Sequence, residues 1–210
     1  MSLSIQNLLG LHPTAEAIAS YLSSLASGDV AEPEVKSYSD AVYFNYYALG
    51  LSLLFAPKNG YKPSTGLAKS ALRNQDLVLE GIDLYNTPAN PQAKAKSGRK
   101  AELAFLTFPG TPLSLDLSES TTDKDGKGDS RASQLTVNTD TTGKDFVACL
   151  GEPTRKGGGA GPSSGSIGIW CEWTRDGLMV EFGGDEAKGP QAWERGKDAG
   201  WRVLSIASPS

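Results

Sequence analysis

Two runs of alternating apolar residues, each led by a glycine, dominate this chain: GLSLLF at 50–55 and GLMVEF at 177–182. A β-forming stretch precedes each, VYFNYY at 42–47 and IGIWCEW at 167–173. Alternation of this length marks a half-buried strand, and a glycine between two such runs supplies the backbone of a tight reversal. Two hairpins are therefore expected, turning near Gly50 and at Asp176-Gly177. LVLEGIDLY at 77–85 and WRVLSI at 201–206 read as one further strand after each hairpin.

A helix is expected ahead of each hairpin. In residues 14–26, Ile18, Leu22 and Leu25 recur at helical spacing with Tyr21 beside them; Thr14 is placed to cap the start and Gly28 to close the segment. In GKDFVACL at 143–150, Phe146, Val147 and Leu150 are apolar. Thr141 or Thr142 is the expected cap, Asp145 lies in the first turn, and Gly151 and Pro153 prevent continuation. Both halves thus read helix, strand, turn at glycine, strand, loop, strand, at an offset of roughly 120–127 residues, too long for a solenoid and natural for a duplicated unit. The expected fold class is α+β: two pseudo-repeated helix-plus-three-strand units forming one largely antiparallel sheet with helices on one face, within a single domain of residues 1–210. The units span about 12–86 and 140–207, joined by a loop-rich insert over 87–139. Within that insert, 103–108 and 113–117 read as short strands and 118–133 as a polar, disorder-like segment. Residues 30–36, with Pro33 and several charges, read as a connector.

Composition narrows the function classes. The 24 glycines and 12 prolines in 210 residues exceed the roughly 12% combined share of ordinary proteins and favour a loop-rich β-containing chain over a helical bundle. A net charge of −4 argues against a sequence-independent grip on nucleic acid, and one histidine excludes a multi-histidine metal site. No stretch reads as a signal peptide or membrane span, so the expected setting is the cytoplasm. Cys149 and Cys171 are too few for a disulfide framework, although spacing leaves a single bridge between them open.

The run TGKDFVACLGEP at 142–153, followed by a strand bearing Trp170 and Trp173 and then a hairpin, resembles the helix, Leu-Gly-x-Pro, strand entry of small αβ repeat domains. Two families share it, the β-lactamase inhibitory proteins and the SmpA/OmlA-type outer-membrane assembly lipoproteins. The resemblance covers 141–182, and the first half by topology only. The chain shows neither the lipoprotein signal and acylated cysteine of the one family nor the paired disulfides of the other. The resemblance implies a non-catalytic domain presenting a sheet face to a protein partner.

Catalytic and ligand motifs fit poorly. A Cys–His pair or a Ser–His–Asp triad would depend on His12, which precedes Pro13 near the start of the chain, and there is no Gly-x-Ser-x-Gly elbow. RKGGGAG at 155–161 offers cations and free amides for an anion, but it follows a helix and leads to a strand, the reverse of a Walker loop. DTTG at 140–143 is explained by helix capping. DKDGKGD at 123–129 alternates carboxylates with glycines; an EF-hand count from Asp123 puts Lys127 at position five and Gln134 at position twelve, where oxygen donors belong. No metal site and no cofactor is expected.

Two features keep functional weight. Glu172 and Glu181 fall on the two strands of the second hairpin, opposite or diagonal to each other, with Arg175 available between them; a carboxylate pair of this kind could serve acid/base chemistry on a small molecule or carbohydrate. Aromatics crowd both hairpins, and either all of them are core or one face is open to a partner or sugar. The leading expectation is a cytosolic, non-catalytic, inhibitor- or immunity-like module, a monomer or weak homodimer, that binds a protein through Tyr43, Tyr46, Trp170 and Trp173. The carboxylate-pair protein is the alternative, and a scaffold associating edge to edge is a third.

Overall fold

The computed structural model describes residues 4–87, 102–118, 132–159 and 168–209. The basic cluster at Lys94, Lys96, Arg99 and Lys100, residues 119–131 of the polar segment read over 118–133, with its carboxylate-rich run 123–129, and residues 160–167 of the glycine-rich stretch lie outside the described residues. The fold is mixed α/β, with few helices and a large antiparallel sheet of eight strands, four drawn from each of two compact units. Among described residues, the first unit comprises 4–87, 102–110 and 205–208, and the second takes in 111–118, 132–159, 168–204 and 209.

In the first unit, helix α1 (Glu16–Leu25) buries Ile18, Tyr21 and Leu22 on one side, as the spacing predicts, although it begins after Ala15 rather than at a Thr14 cap. Strands β1 (Glu34–Ser37), β2 (Val42–Tyr46), β3 (Leu51–Pro57) and β4 (Leu77–Tyr85) follow in chain order and in sheet order. Val42, Phe44 and Tyr46 stand opposite Phe55, Leu53 and Leu51, and the same row continues to Leu79, Ile82 and Leu84 on β4. This is the core-facing side, and nearly all of these side chains are buried. The chain before α1 docks on β4: the Gly10 amide donates to the Leu79 carbonyl (2.8 Å) and the Leu79 amide to the Leu11 carbonyl (2.9 Å).

The second unit has a small sheet of β5 (Leu113–Asp116) and β6 (Gln134–Val137), then helix α2 (Gly143–Leu150), strands β7 (Arg155–Gly157), β8 (Trp170–Trp173) and β9 (Leu178–Phe182), a one-turn helix α3 (Ala192–Arg195) and β10 (Trp201–Ala207), whose last residues group with the first unit. The four sheet strands run in the order β10-β9-β8-β7. Phe146 of α2 is fully buried and meets Trp173 of β8 (ring centroids 6.3 Å apart) and Phe182 of β9 (6.0 Å, edge-on). Burying one such phenylalanine is worth roughly 1.5–3 kcal/mol, and these three rings fix which side of the unit's sheet the helix covers.

Both hairpins reverse in the same way. Residues 47–49 and 174–176 each make one 3-10 turn, and Gly50 (φ +55°) and Gly177 (φ +63°) then enter the left-handed region that a side chain disfavours. The loop is thus longer than a two-residue turn, and it sets Tyr46 against Leu51 and Trp173 against Leu178.

Several expectations are corrected. Each unit contributes four sheet strands rather than three, because β1 lies in the predicted connector and β7 in the glycine-rich run read as a loop. Both are three or four residues long and carry charges (Glu34, Lys36; Arg155, Lys156), so they lack the apolar alternation by which a strand is recognised. Residues 103–108 form no strand; a 3-10 turn covers Glu102–Ala104, while Leu113–Asp116 does pair with β6. Val147 is 38% exposed, since Phe146 and Leu150 rather than Val147 take the buried turn-to-turn position on α2. Cys149 and Cys171, between which spacing left a bridge open, form no disulfide with each other.

Candidate functional site

Strand alternation divides the four predicted contact residues two and two. Trp173 shares the core side with Cys171, is 2% exposed, and its indole N–H donates to the Gly151 carbonyl (2.9 Å). Tyr46 shares the core side of β2 with Val42 and Phe44 and is 9% exposed; burial pushes its hydroxyl up to about 12, with the Glu32 charge adding to the effect. Tyr46 borders a cavity of about 470 Å³ beside the 26–31 loop. Tyr46 and Trp173, expected on the open face, therefore serve packing. Tyr43 and Trp170 have the opposite strand parity and are partly exposed.

Trp170 is the better built of the two sites. It pairs with Glu181 on β9 and with Gly157 on β7. A Cβ on Gly157 would lie 2.7–2.9 Å from three atoms of the Trp170 indole. The ring thus lies flat across the neighbouring strand, in space that only glycine leaves free. The Arg155 guanidinium sits 6.0 Å from the ring centroid, close enough for a weak cation–π attraction, and also pairs with Glu172 at 3.0 Å. On the other flank Arg202 pairs with Glu181 at 3.0 Å. Arg202 is almost wholly buried, so this pair is held far more rigidly than a surface one. Met179 stands opposite Glu172. The result is a flat aromatic platform and a methionine framed by two hydrogen-bonded ion pairs.

Tyr43, in the first unit, stands between Lys36 of β1 and Leu54 of β3, with the Tyr38 ring edge-on at 6.2 Å. Partial burial raises its hydroxyl above the ordinary tyrosine range, with smaller contributions from Asp83 and Asp40. Nearby, Glu34 is held below its ordinary value by a hydrogen bond from the Tyr47 hydroxyl and by Lys36. The polar row continues inward: the Ser52 hydroxyl donates to Asn45 Oδ1 (2.8 Å), and the Ser205 hydroxyl to Asp83 Oδ1 (2.6 Å).

The acid/base candidates are diagonal neighbours, since Trp170 is the residue opposite Glu181 and Met179 the residue opposite Glu172. Their cations are Arg155 and Arg202 rather than the predicted Arg175. Neither glutamate borders the two cavities described in the chain. His12 places Nδ1 2.7 Å from the Leu77 carbonyl, tying the leading segment to β4. Burial pushes the Cys171 thiol up to about 11, which keeps it neutral and unreactive. Among the described residues no cluster of three or more His, Cys, Asp or Glu could hold a metal ion, and no helix is long and apolar enough to cross a membrane.

Sequence reasoning missed Arg155, Gly157, Met179 and Arg202 as parts of the platform. Gly157 and Arg155 were legible only as a basic glycine-rich loop; strand register alone brings them beneath and beside Trp170. The chain matches no family model, no curated protein and no solved structure.

Proposed function

We infer that this chain is a non-catalytic, cytosolic protein-interaction module of the inhibitor or immunity type. It is built as a repeated αβ unit with its helices on one side of the sheet, in the manner of the αβ repeat domains that its sequence resembles. The partner is gripped on the sheet face opposite the core, with Trp170 as the anchor in the second unit and Tyr43 as a separate anchor in the first. The carrying observation is the Trp170 platform: a large, rigid, partly exposed ring laid over Gly157 and framed by paired charges. Energetic centres of interfaces have this composition, with aromatics and arginines enriched and surrounded by polar groups that exclude water. Glu172 and Glu181, each committed to an arginine, act in this reading as the polar rim of the anchor rather than as a proton-transferring pair.

The test is quantitative affinity purification with Trp170→Ala and Tyr43→Ala variants of the full chain. A partner retained by the wild type should be lost or bound at least about tenfold more weakly by Trp170→Ala, the range of a strong interface anchor, with thermal stability little changed. Equal retention of the same partner by both folded variants contradicts the reading.

A further inference from the structure

The core side of the second unit's sheet carries a feature that the proposed interface does not use. A cavity of about 430 Å³ opens between α2, α3 and the strands, within the size range of small-molecule sites. Its apolar lining includes Cys171 and Phe182 from the strands, Val147 from α2 and Trp193 from α3. Val147 is 38% and Trp193 41% exposed, two of the four large apolar side chains that the described residues leave open. The Cys171 thiol is neutral and adds no competing charge. The Gly143 amide, at the start of α2, donates to the Ala199 carbonyl beyond α3 (3.0 Å).

The mouth is cationic. Lys144, Lys156 and Lys197 border it against a single carboxylate, Glu152. All three lysines are exposed, and among the described residues none of them is in an ion pair. The Lys156 ammonium rests 5.6 Å from the centre of the Trp193 ring, so the charge is already held against the apolar lining. An excess of positive charge at this mouth stands out in a chain whose net charge is −4.

We propose that this cavity binds a small amphiphilic anion, one with an apolar body and a single carboxylate head. The body fills the space between Val147, Phe182 and Trp193, and the head meets the lysines at the mouth. Charge selects the occupant: a neutral chain of the same length gains the burial without the ammonium contacts, and a cationic one meets repulsion.

The experiment is calorimetric titration of the full chain with decanoate below its aggregation concentration. Decanol and decyltrimethylammonium serve as neutral and cationic counterparts, and the titration is repeated on Lys156→Gln/Lys197→Gln. These lysines are exposed, so the double variant should fold as the wild type does. Decanoate is expected to bind one to one and to raise the melting temperature. Decyltrimethylammonium should bind at least tenfold more weakly, and the double variant should lose at least tenfold in decanoate affinity. No saturable decanoate binding, equal affinity for the cationic counterpart, or undiminished binding by the double variant would each overturn the proposal.

Discussion

At residue 157 a single hydrogen in place of a side chain decides what the outer face of the second unit can do. Gly157 and Trp170 face each other across β7 and β8, and the indole occupies the volume that a Cβ would take. Gly157→Ala must therefore lift the ring or distort the edge strand, at a cost of about 1–3 kcal/mol typical of overpacking. The expected result is displacement of one of the four tryptophan indole N–H signals in an NMR spectrum, with weakened partner binding; four unmoved signals would show that the ring does not lie there. Strand parity was legible at this scale and settles more than aromatic content does. Positions 43 and 46 cannot share a face, nor can 170 and 173. Which parity is buried is a tertiary fact, decided for 170 and 173 by where Phe146 lands. The cations of Glu172 and Glu181 were not legible either, because Arg155 and Arg202 reach them only through strand pairing.

Among the elements, α2 shows how far local chemistry specifies structure. Its bounds, Gly143–Leu150, coincide with the predicted run, and the Asp145 carboxylate accepts hydrogen bonds from the Thr142 amide (2.9 Å) and hydroxyl (2.6 Å). These bonds lower the Asp145 pKa below its ordinary value, the Thr142 hydroxyl contributing most. A carboxyl with a depressed folded pKa stabilises the fold above its unfolded pKa, and that contribution fades as the pH falls through the folded value. Asp145→Asn should cost about 0.5–1 kcal/mol at neutral pH, the range for an exposed capping contact. The wild-type and variant melting curves should converge as the pH falls below the ordinary aspartate range, and a gap that persists unchanged in strong acid would contradict the assignment. The hairpins were equally legible, since a glycine at a reversal and alternation on either side are local signals. The short strands β1, β6 and β7 were not. A strand of only three or four residues, charged in β1 and β7 and uncharged in β6, is stabilised by its neighbour's backbone and leaves little trace in its own composition.

Over the whole molecule the division into two units falls between Gly110 and Thr111, inside the stretch expected as an insert, which contributes β5 and β6 to the second unit. In chain order the first unit runs α1, β1, β2, β3, β4, and the second β5, β6, α2, β7, β8, β9, α3 and β10, whose last residues group with the first. Among the described residues the outermost strands, β1 and β7, are brief and charged, features that oppose strand addition. The proposed interface requires that the sheet surface carrying Trp170 be available in the free protein and covered when a partner binds. Hydroxyl-radical footprinting with residue-level mass spectrometry, on the free chain and on the complex recovered by affinity purification, tests it most directly. Trp170 and Met179 should oxidise readily in the free chain and be protected at least about fivefold in the complex, a change worth about 1 kcal/mol in effective access, while Trp173 stays unmodified in both. Trp170 unmodified in the free chain, or equally modified with and without the partner, would contradict the account.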